Sequence, residues 1–256
     1  SIKDIFKDKW LVIAVFFGLI IRMIYISEPV KYDEASSFLG YIESPNILRL
    51  FWYNTTNNHV FYNVITKIFY IIFGFSLPIL RLVAFTSGVL SIPIIYYICK
   101  EFNQDGRFAA ISLASFPLYI EYSTNARGYT LQTFILLLIL LIIKKNYNLL
   151  NNHKSNLIGL LIALATLTIP TFIFVIPGIF IWLFFINYRK EESIRSNFEF
   201  LKKLGSLFLK SFLFSFLLFL PIIILPGNLN NFRNLENLTS LGIFDFLNLI
   251  IPYIFS

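Results

Sequence analysis

Long apolar stretches, separated by short polar segments, dominate the hydrophobic pattern of this chain. A helix that crosses the hydrocarbon core of a bilayer needs about 20 apolar residues. The stretches lack the period-2 alternation of membrane β-barrel strands. We therefore predict an all-α polytopic membrane protein. About seven transmembrane helices are expected, at Trp10–Ile26, Leu77–Ile98, Phe108–Tyr122, Tyr129–Ile143, Leu157–Ile169, Thr171–Ile186 and Ser206–Leu225.

The basic residues predict the orientation of these helices. Cytoplasmic loops carry an excess of Lys and Arg. One side of the predicted topology receives thirteen basic residues, namely Lys3, Lys7, Lys9, Lys100, Arg107, Lys144, Lys145, Lys154, Arg189, Lys190, Arg195, Lys202 and Lys203. The other side receives five, namely Lys31, Arg49, Lys67, Arg127 and Arg233. The amino terminus is therefore expected to be cytoplasmic.

A further apolar stretch, Val60–Phe73, is shorter and carries Asn63 and Lys67. Because the amino terminus and the 100–107 loop are both expected inside, an even number of crossings must separate them. Two of the predicted helices already supply that number. We therefore expect Val60–Phe73 to lie in the interface or to re-enter on the outer side. Residues 27–76 then form one long outer loop of amphipathic juxtamembrane helices.

Composition supports a membrane protein and excludes other classes. The chain is 57% hydrophobic and 14% charged, with a mean hydropathy of +0.73. Soluble domains average about 25% charged residues. A disordered chain, a disulfide scaffold and a soluble enzyme are therefore excluded. The net charge of +7 is distributed between apolar stretches, which predicts contact with membrane lipid and no nucleic-acid partner.

The outer loop carries the first candidate chemistry. Asp33 is expected to be the N-cap of a short helix from Glu34 to Tyr41. Ser44 and Pro45 are expected to begin another helical turn. Asp33 and Glu34 are adjacent, so they do not face each other on a helix, and at most one of them should contact a reacting atom.

Other polar groups are expected on the same outer face. His59 precedes the interfacial stretch, where it either donates to a backbone carbonyl or belongs to a site. Arg127 either binds a phosphate bidentately or pairs with Glu121 or with lipid headgroups. Arg22, near the outer end of the first helix, needs a partner, and the candidates are carboxylates of the outer loop, Glu28 among them. Carboxylates and cations together suit deprotonation of a hydroxyl and departure of a phosphate.

Four segments, in order, resemble bacterial GT-C glycosyltransferases, which are related to protein O-mannosyltransferases and lipid A aminoarabinose transferases. Gly18 to Arg22 with Tyr32-Asp33-Glu34-Ala35 resembles their first helix and Asp-Glu motif. His59-Val-Phe-Tyr62 is similar to their His-Pro-Pro-Leu-Tyr segment, without the prolines. The remaining two segments resemble the family's Leu-Arg-Leu helix and Ala-Arg-x-Tyr turn; they are Leu80 to Leu90 and Ser115 to Tyr129.

This resemblance implies transfer of a sugar from a polyprenyl-phosphate donor to a glycan, lipid or protein acceptor on the extracytoplasmic face. It implies that Asp33 acts as the base with Glu34 as its neighbour in the motif. It also implies that Arg127, His59 and Tyr129 bind the donor phosphate. The cofactor is unknown, because a divalent metal is compatible with this chemistry but is not required by the sequence.

The expected domain boundaries follow from the same resemblance. Residues 1–225 are expected to form a GT-C-like catalytic module in a bacterial inner membrane, and residues 226–256 to begin a further extracytoplasmic loop of a longer protein. Two alternatives remain at this point: a non-catalytic transporter or scaffold for lipid-linked glycans, and an inactive GT-C remnant. Reaction with a labelled polyprenyl-phosphate sugar distinguishes the enzyme from both.

Overall fold

The computed structural model describes residues 8–52, 58–146, 152–187 and 194–225, and the regular structure within these ranges is helical. The predicted all-α class is therefore confirmed for the described residues. The predicted outer loop at 226–256, together with Lys3 and Lys7, lies outside them. The described helices are α1 (Lys9–Tyr25), α2 (Tyr32–Ser37), α3 (Val60–Phe73), α4 (Leu77–Glu101), α5 (Arg107–Ser115), α6 (Pro117–Ser123), α7 (Tyr129–Asn146), α8 (Asn152–Thr168), α9 (Val175–Asn187) and α10 (Ile194–Ile224).

Two helical segments of the described chain are long and apolar enough to cross a membrane. They are Leu77–Glu101, which is α4, and Phe198–Ile224, which is most of α10. Shorter apolar segments include Val60–Phe73 and Pro170–Phe185. The predicted total of seven crossings therefore stays a prediction.

Helix α4 lies at the centre of the fold. It packs against α1, α3, α5, α6 and α7. Helix α8 packs against both α7 and α10. Small residues permit the closest approaches: a Cβ on Gly18 would lie 2.4 Å from Ile92, and a Cβ on Gly88 would lie 2.4 Å from the Ser123 Oγ. Small residues at helix interfaces are typical of membrane proteins, because van der Waals packing drives association there.

The expectation of one unbroken third helix over Phe108–Tyr122 is wrong. The structure ends α5 at Ser115 and begins α6 at Pro117, with Phe116 in an extended conformation (φ −67°, ψ 115°). A residue before proline is disfavoured in the helical region, and proline has no N–H for the preceding turn. The break leaves the carbonyl of Leu113, four residues before Pro117, without its usual helical donor.

Arg22 of α1 satisfies this broken end, so the prediction of a carboxylate partner such as Glu28 is wrong. The buried Arg22 guanidinium donates to the carbonyls of Leu113 at 3.4 Å and Ala114 at 3.1 Å. It also donates to the Gly18 carbonyl at 2.9 Å and to the Ser123 hydroxyl at 3.0 Å. A cation is favourable at the carboxyl end of a helix because of the helix dipole. Carbonyls therefore replace the expected carboxylate.

The outer loop differs from the expected capping pattern. Helix α2 begins at Tyr32 and its N-cap is Lys31, so the assignment of Asp33 as the cap is wrong. The backbone N–H of Lys31 donates to the carboxylate of Glu34, the third residue of the helix, at 2.9 Å, as in one half of a capping box. The turn expected at Ser44 and Pro45 begins later, as a 3-10 turn over Ile47–Phe51. Its cap is Asn46, whose side chain accepts from the Leu48 N–H at 3.0 Å.

Helix α3 has the predicted bounds, Val60–Phe73, and contains 14 residues. At 1.5 Å per residue its length is about 21 Å, less than the hydrocarbon thickness of about 30 Å. Its length supports an interfacial or re-entrant position, which stays a prediction. Its polar residues are buried and share one face; they are Asn63, Thr66 and Lys67. Lys67 donates to the carbonyls of Ile42 and Ser44, and so fastens the outer loop to this helix.

Candidate functional site

A buried ion pair organises the candidate site. The Glu34 carboxylate accepts from Arg81 of α4 at 2.8 Å (Nε to Oε1) and at 2.7 Å (Nη2 to Oε2). The two residues are 2% and 1% exposed. Arg81 Nη1 also donates to the carbonyls of Ile26 and Glu28, each at 2.8 Å. The pair therefore attaches the start of the outer loop to the central helix.

Glu34 also holds the turn between α6 and α7. Its Oε1 accepts from the backbone N–H of Ala126 at 2.6 Å. Burial raises the pKa of the Glu34 carboxyl, but the bonds from Arg81 and from the N–H groups of Lys31 and Ala126 outweigh it, so the pKa lies below its ordinary value. Glu34 is thus an ionised acceptor that receives four hydrogen bonds. These four bonds hold the outer loop and the α6–α7 turn in fixed positions relative to α4.

Asp33 occupies the first turn of α2, directly beside Glu34. Its side chain is exposed while that of Glu34 is buried, as expected for neighbours that point in different directions from a helix. The rigid attachment of Glu34 therefore fixes the backbone from which the Asp33 carboxylate projects. Of the two acidic residues, Asp33 is the one with an exposed side chain.

His59 is the N-cap residue of α3 and is buried. The Gly128 N–H donates to His59 Nδ1 at 2.8 Å. A neutral imidazole has one donor and one acceptor nitrogen, so this bond assigns the proton to Nε2. Burial, with a smaller contribution from the Arg127 charge, lowers the pKa of His59 to about 3. The ring is therefore a neutral donor at physiological pH.

Arg127 faces this imidazole. Its Nη2 lies 3.3 Å from His59 Nε2, and its Nη1 lies 3.4 Å from the Ser37 hydroxyl. Because a guanidinium carries only donors, the short distance to Nε2–H brings two N–H donors together. An oxygen anion beside this pair would accept from both. The buried turn thus presents a positive group and a neutral donor to one locality.

Tyr129 completes the aromatic wall of this cluster. Its ring lies edge-to-face with the His59 ring at 5.1 Å, and its centroid is 5.7 Å from the Arg127 guanidinium carbon. Glu121, the alternative partner expected for Arg127, forms an ion pair with Lys31 at 2.5 Å. The structure therefore brings His59, Arg127 and Tyr129 together, while Glu34 reaches the same turn through Ala126.

The close packing of the turn depends on Gly128. A Cβ there would lie 2.6 Å from Thr168 Cγ2 and 3.1 Å from His59 Nδ1. Glycine therefore allows the Gly128 N–H to approach His59. Among the described residues, no group of three or more His, Cys, Asp or Glu side chains is arranged to hold a metal ion.

Sequence reasoning missed several buried polar residues that build this region. Asn58 donates to the carbonyls of Leu50 and Trp52 at 2.9 and 3.0 Å. The Tyr62 hydroxyl donates to the Leu80 carbonyl at 2.7 Å, one residue before Arg81. The spacing of residues 59, 62, 63, 66 and 67 signals one helical face. In the sequence alone, these polar positions indicate only an interruption of the apolar stretch Val60–Phe73.

A family model described as dolichyl-phosphate-mannose-protein mannosyltransferase matches residues 59–223. The match begins at His59 and includes Arg127 and Tyr129, whereas Asp33 and Glu34 precede it. No curated protein and no solved structure matches the chain.

Proposed function

Because this chain belongs to the dolichyl-phosphate-mannose-protein mannosyltransferase family, it is a GT-C-type membrane glycosyltransferase, and we propose that its donor is a polyprenyl-phosphate sugar. The observation that supports this proposal is that Arg127 Nη2 lies 3.3 Å from His59 Nε2 and that both residues are buried. Both groups are hydrogen-bond donors, and a sugar phosphate headgroup carries acceptor oxygens that suit a guanidinium and an imidazole N–H. The polyprenyl tail then remains in the lipid beside α3.

In the proposed reaction, an acceptor hydroxyl attacks the anomeric carbon of the donor sugar. The new C–O bond forms as the bond from that carbon to the phosphate oxygen breaks, and the leaving polyprenyl phosphate keeps the electron pair. Asp33 takes the hydroxyl proton. Arg127 and His59 stabilise the negative charge that develops on the phosphate. Tyr129 holds the two donors in place.

The proposed location follows from the topology expected from the basic residues. The reaction takes place on the extracytoplasmic face of a bacterial inner membrane, within a catalytic module contained in residues 1–225. Acceptors in this proposal are hydroxyl groups of a glycan, a lipid or a protein. The position of Asp33 on an exposed turn of the outer loop suits an acceptor that arrives at the membrane surface.

The role of Asp33 is tested with purified protein in lipid nanodiscs and a polyprenyl-phosphate-[3H]mannose donor. Membranes from the source organism with the gene deleted supply the acceptor, and the measured quantity is transfer of labelled mannose. General-base catalysis contributes about 10²–10⁴-fold, so Asp33→Asn should lose a factor of that order in turnover. Glu43→Gln is the matched control, because Glu43 is another exposed carboxylate of the outer loop. Wild-type turnover by Asp33→Asn at unchanged thermal stability would refute the base assignment.

The phosphate site is tested separately by donor binding. Arg127→Lys keeps the charge but not the planar fork, and we expect it to weaken donor binding by about tenfold or more. Binding of unphosphorylated polyprenol should change little. If both ligands lose affinity equally, Arg127 acts only through the fold and the phosphate assignment is wrong.

A further inference from the structure

A cavity of about 450 Å³ lies beside the candidate site. Its walls come from the outer end of α1, the start of the outer loop, and the broken pair α5 and α6. The volume is within the usual range for small-molecule pockets, about 300–1,000 Å³. Neither His59 nor Arg127 lines it.

The cavity and the candidate site share two chain segments. Lys31 lines the cavity, and its backbone N–H is bonded to the Glu34 carboxylate. Thr124 also lines it, at the start of the turn that carries Arg127. A molecule held in the cavity is therefore held against the same loop and turn that present Asp33 and Arg127.

The lining changes character along the helices. Ile21 of α1 and Ile120 of α6 provide apolar walls, Glu28 and Lys31 line the cavity from the outer loop, and Glu121 of α6 pairs with Lys31. This order suits an amphiphile that has its chain between the helices and its headgroup at the loop. It is the order expected of a lipid in the outer leaflet.

The charges select against an anionic headgroup. Lys31 is already paired with Glu121 at 2.5 Å, and Glu28 adds a second carboxylate to the lining. A phosphate placed here would face net negative charge. Carboxylates accept hydrogen bonds from hydroxyl groups, and the ring of Tyr25 supplies a flat apolar surface. An uncharged headgroup rich in hydroxyls satisfies both.

Exposed apolar side chains adjoin the lining residues in the chain. Ile24 near the end of α1 is 68% exposed, and Phe116 and Leu118 at the helix break are 54% and 49% exposed. In a membrane these side chains contact lipid tails. A ligand entering beside them comes from the bilayer more readily than from water.

We propose that this cavity binds the acceptor as a glycolipid, with an uncharged hexose headgroup at Glu28 and Glu121 and its alkyl chain toward Ile21. This assignment rests on the proposed function, because it supplies the second substrate of the same reaction. The hydroxyl that reacts is then presented from the side of the loop that carries Asp33. A protein acceptor would instead need a water-accessible polar groove.

Photolabelling of the wild-type protein in nanodiscs tests this binding without any need for turnover. The probe is an alkyl glucoside with a diazirine in its tail, and the comparison probe carries the same tail on a phosphate monoester. We expect the glucoside probe to label peptides that contain residues 21–28 or 115–124, about tenfold more than the phosphate probe does. Equal labelling by the two probes would overturn the headgroup assignment.

Ser115→Trp places a large side chain into the cavity, since Ser115 is exposed and lines it. Ser112→Trp is the control, because Ser112 is an exposed residue of the same helix outside the lining. Only the first variant should lose labelling, and loss in both or in neither overturns the site. Asp33→Asn should still be labelled, which separates failure of binding from failure of catalysis. Competition by a serine-containing peptide as strong as that by unlabelled alkyl glucoside would indicate a protein acceptor and overturn the proposal.

Discussion

Glu34→Gln is the sharpest test of how this fold positions its site. Each carboxylate oxygen of Glu34 accepts from Arg81 and from one backbone N–H, of Ala126 or of Lys31. A glutamine amide has one oxygen, so in either orientation its NH₂ group faces two N–H donors. The buried Arg81 also loses its counter-charge. Breaking one side of a buried pair costs about 3–5 kcal/mol.

Thermal unfolding in nanodiscs measures this cost. For chains of about this size, 1 kcal/mol corresponds to about 2–4 °C in Tm, so Glu34→Gln should unfold about 6–20 °C below the wild type. Glu121→Gln is the matched control, because its pair with Lys31 is 42% and 52% exposed. Exposed pairs are worth about 0–1 kcal/mol. A Tm for Glu34→Gln equal to that of the control would refute the reasoning.

A double variant separates stability from positioning. Replacing Glu34 by Leu and Arg81 by Met removes both charges, and apolar replacement of a buried pair is often neutral for stability. We expect most of the lost Tm to return while sugar transfer stays low, because the outer loop is no longer attached to Ala126. Full recovery of transfer would mean that the pair serves stability alone.

Three further predictions follow from the same region. Unfolded histidine takes up a proton below its ordinary pKa of about 6.5, whereas burial and the nearby Arg127 charge lower the folded pKa of His59 to about 3. Unfolding therefore binds protons, and stability should fall by up to about 1.4 kcal/mol per pH unit below pH 6.5; His59→Asn should lose this contribution, and identical pH profiles of Tm would contradict it. Gly128→Ala should lower Tm by more than Gly178→Ala does, because an added Cβ meets Thr168 in the first case and open space in the second. Arg22→Met should destabilise by about 1–3 kcal/mol, because carbonyls at the helix break lose their donor; unchanged denaturation would show that water replaces the guanidinium.

The grouping of polar residues in the candidate site was predictable from the sequence where a local motif carries them. His59, Arg127 and Tyr129 were expected in one site from a resemblance, and the structure brings them together. The bounds of α3 followed from its apolar stretch. The different environments of Asp33 and Glu34 were not predictable, because the Arg81 that buries Glu34 lies 47 residues away. Adjacency indicates only that at most one of the two contacts a reacting atom.

The partner of Arg22 shows the same limit. A carboxylate was the expected partner because a charged group within a membrane helix requires compensation. The actual acceptors are main-chain carbonyls, and Pro117 makes them available by ending α5 early. Backbone acceptors carry no residue-type signature, so a pattern of side chains does not reveal them. The break itself was visible in the proline, and its consequence for Arg22 required the three-dimensional arrangement.

The shared carboxylate of Glu34 restricts how this protein can be recombined with its relatives. Since one side chain joins the outer loop, the central helix and the α6–α7 turn, these three segments depend on one another for their positions. A chimera that exchanges the loop alone would bring in a foreign contact set for Arg81 and Ala126. Transferring a different acceptor preference to this protein therefore requires moving all three segments together. The alternative is to change only the part of the outer loop that follows Ile42.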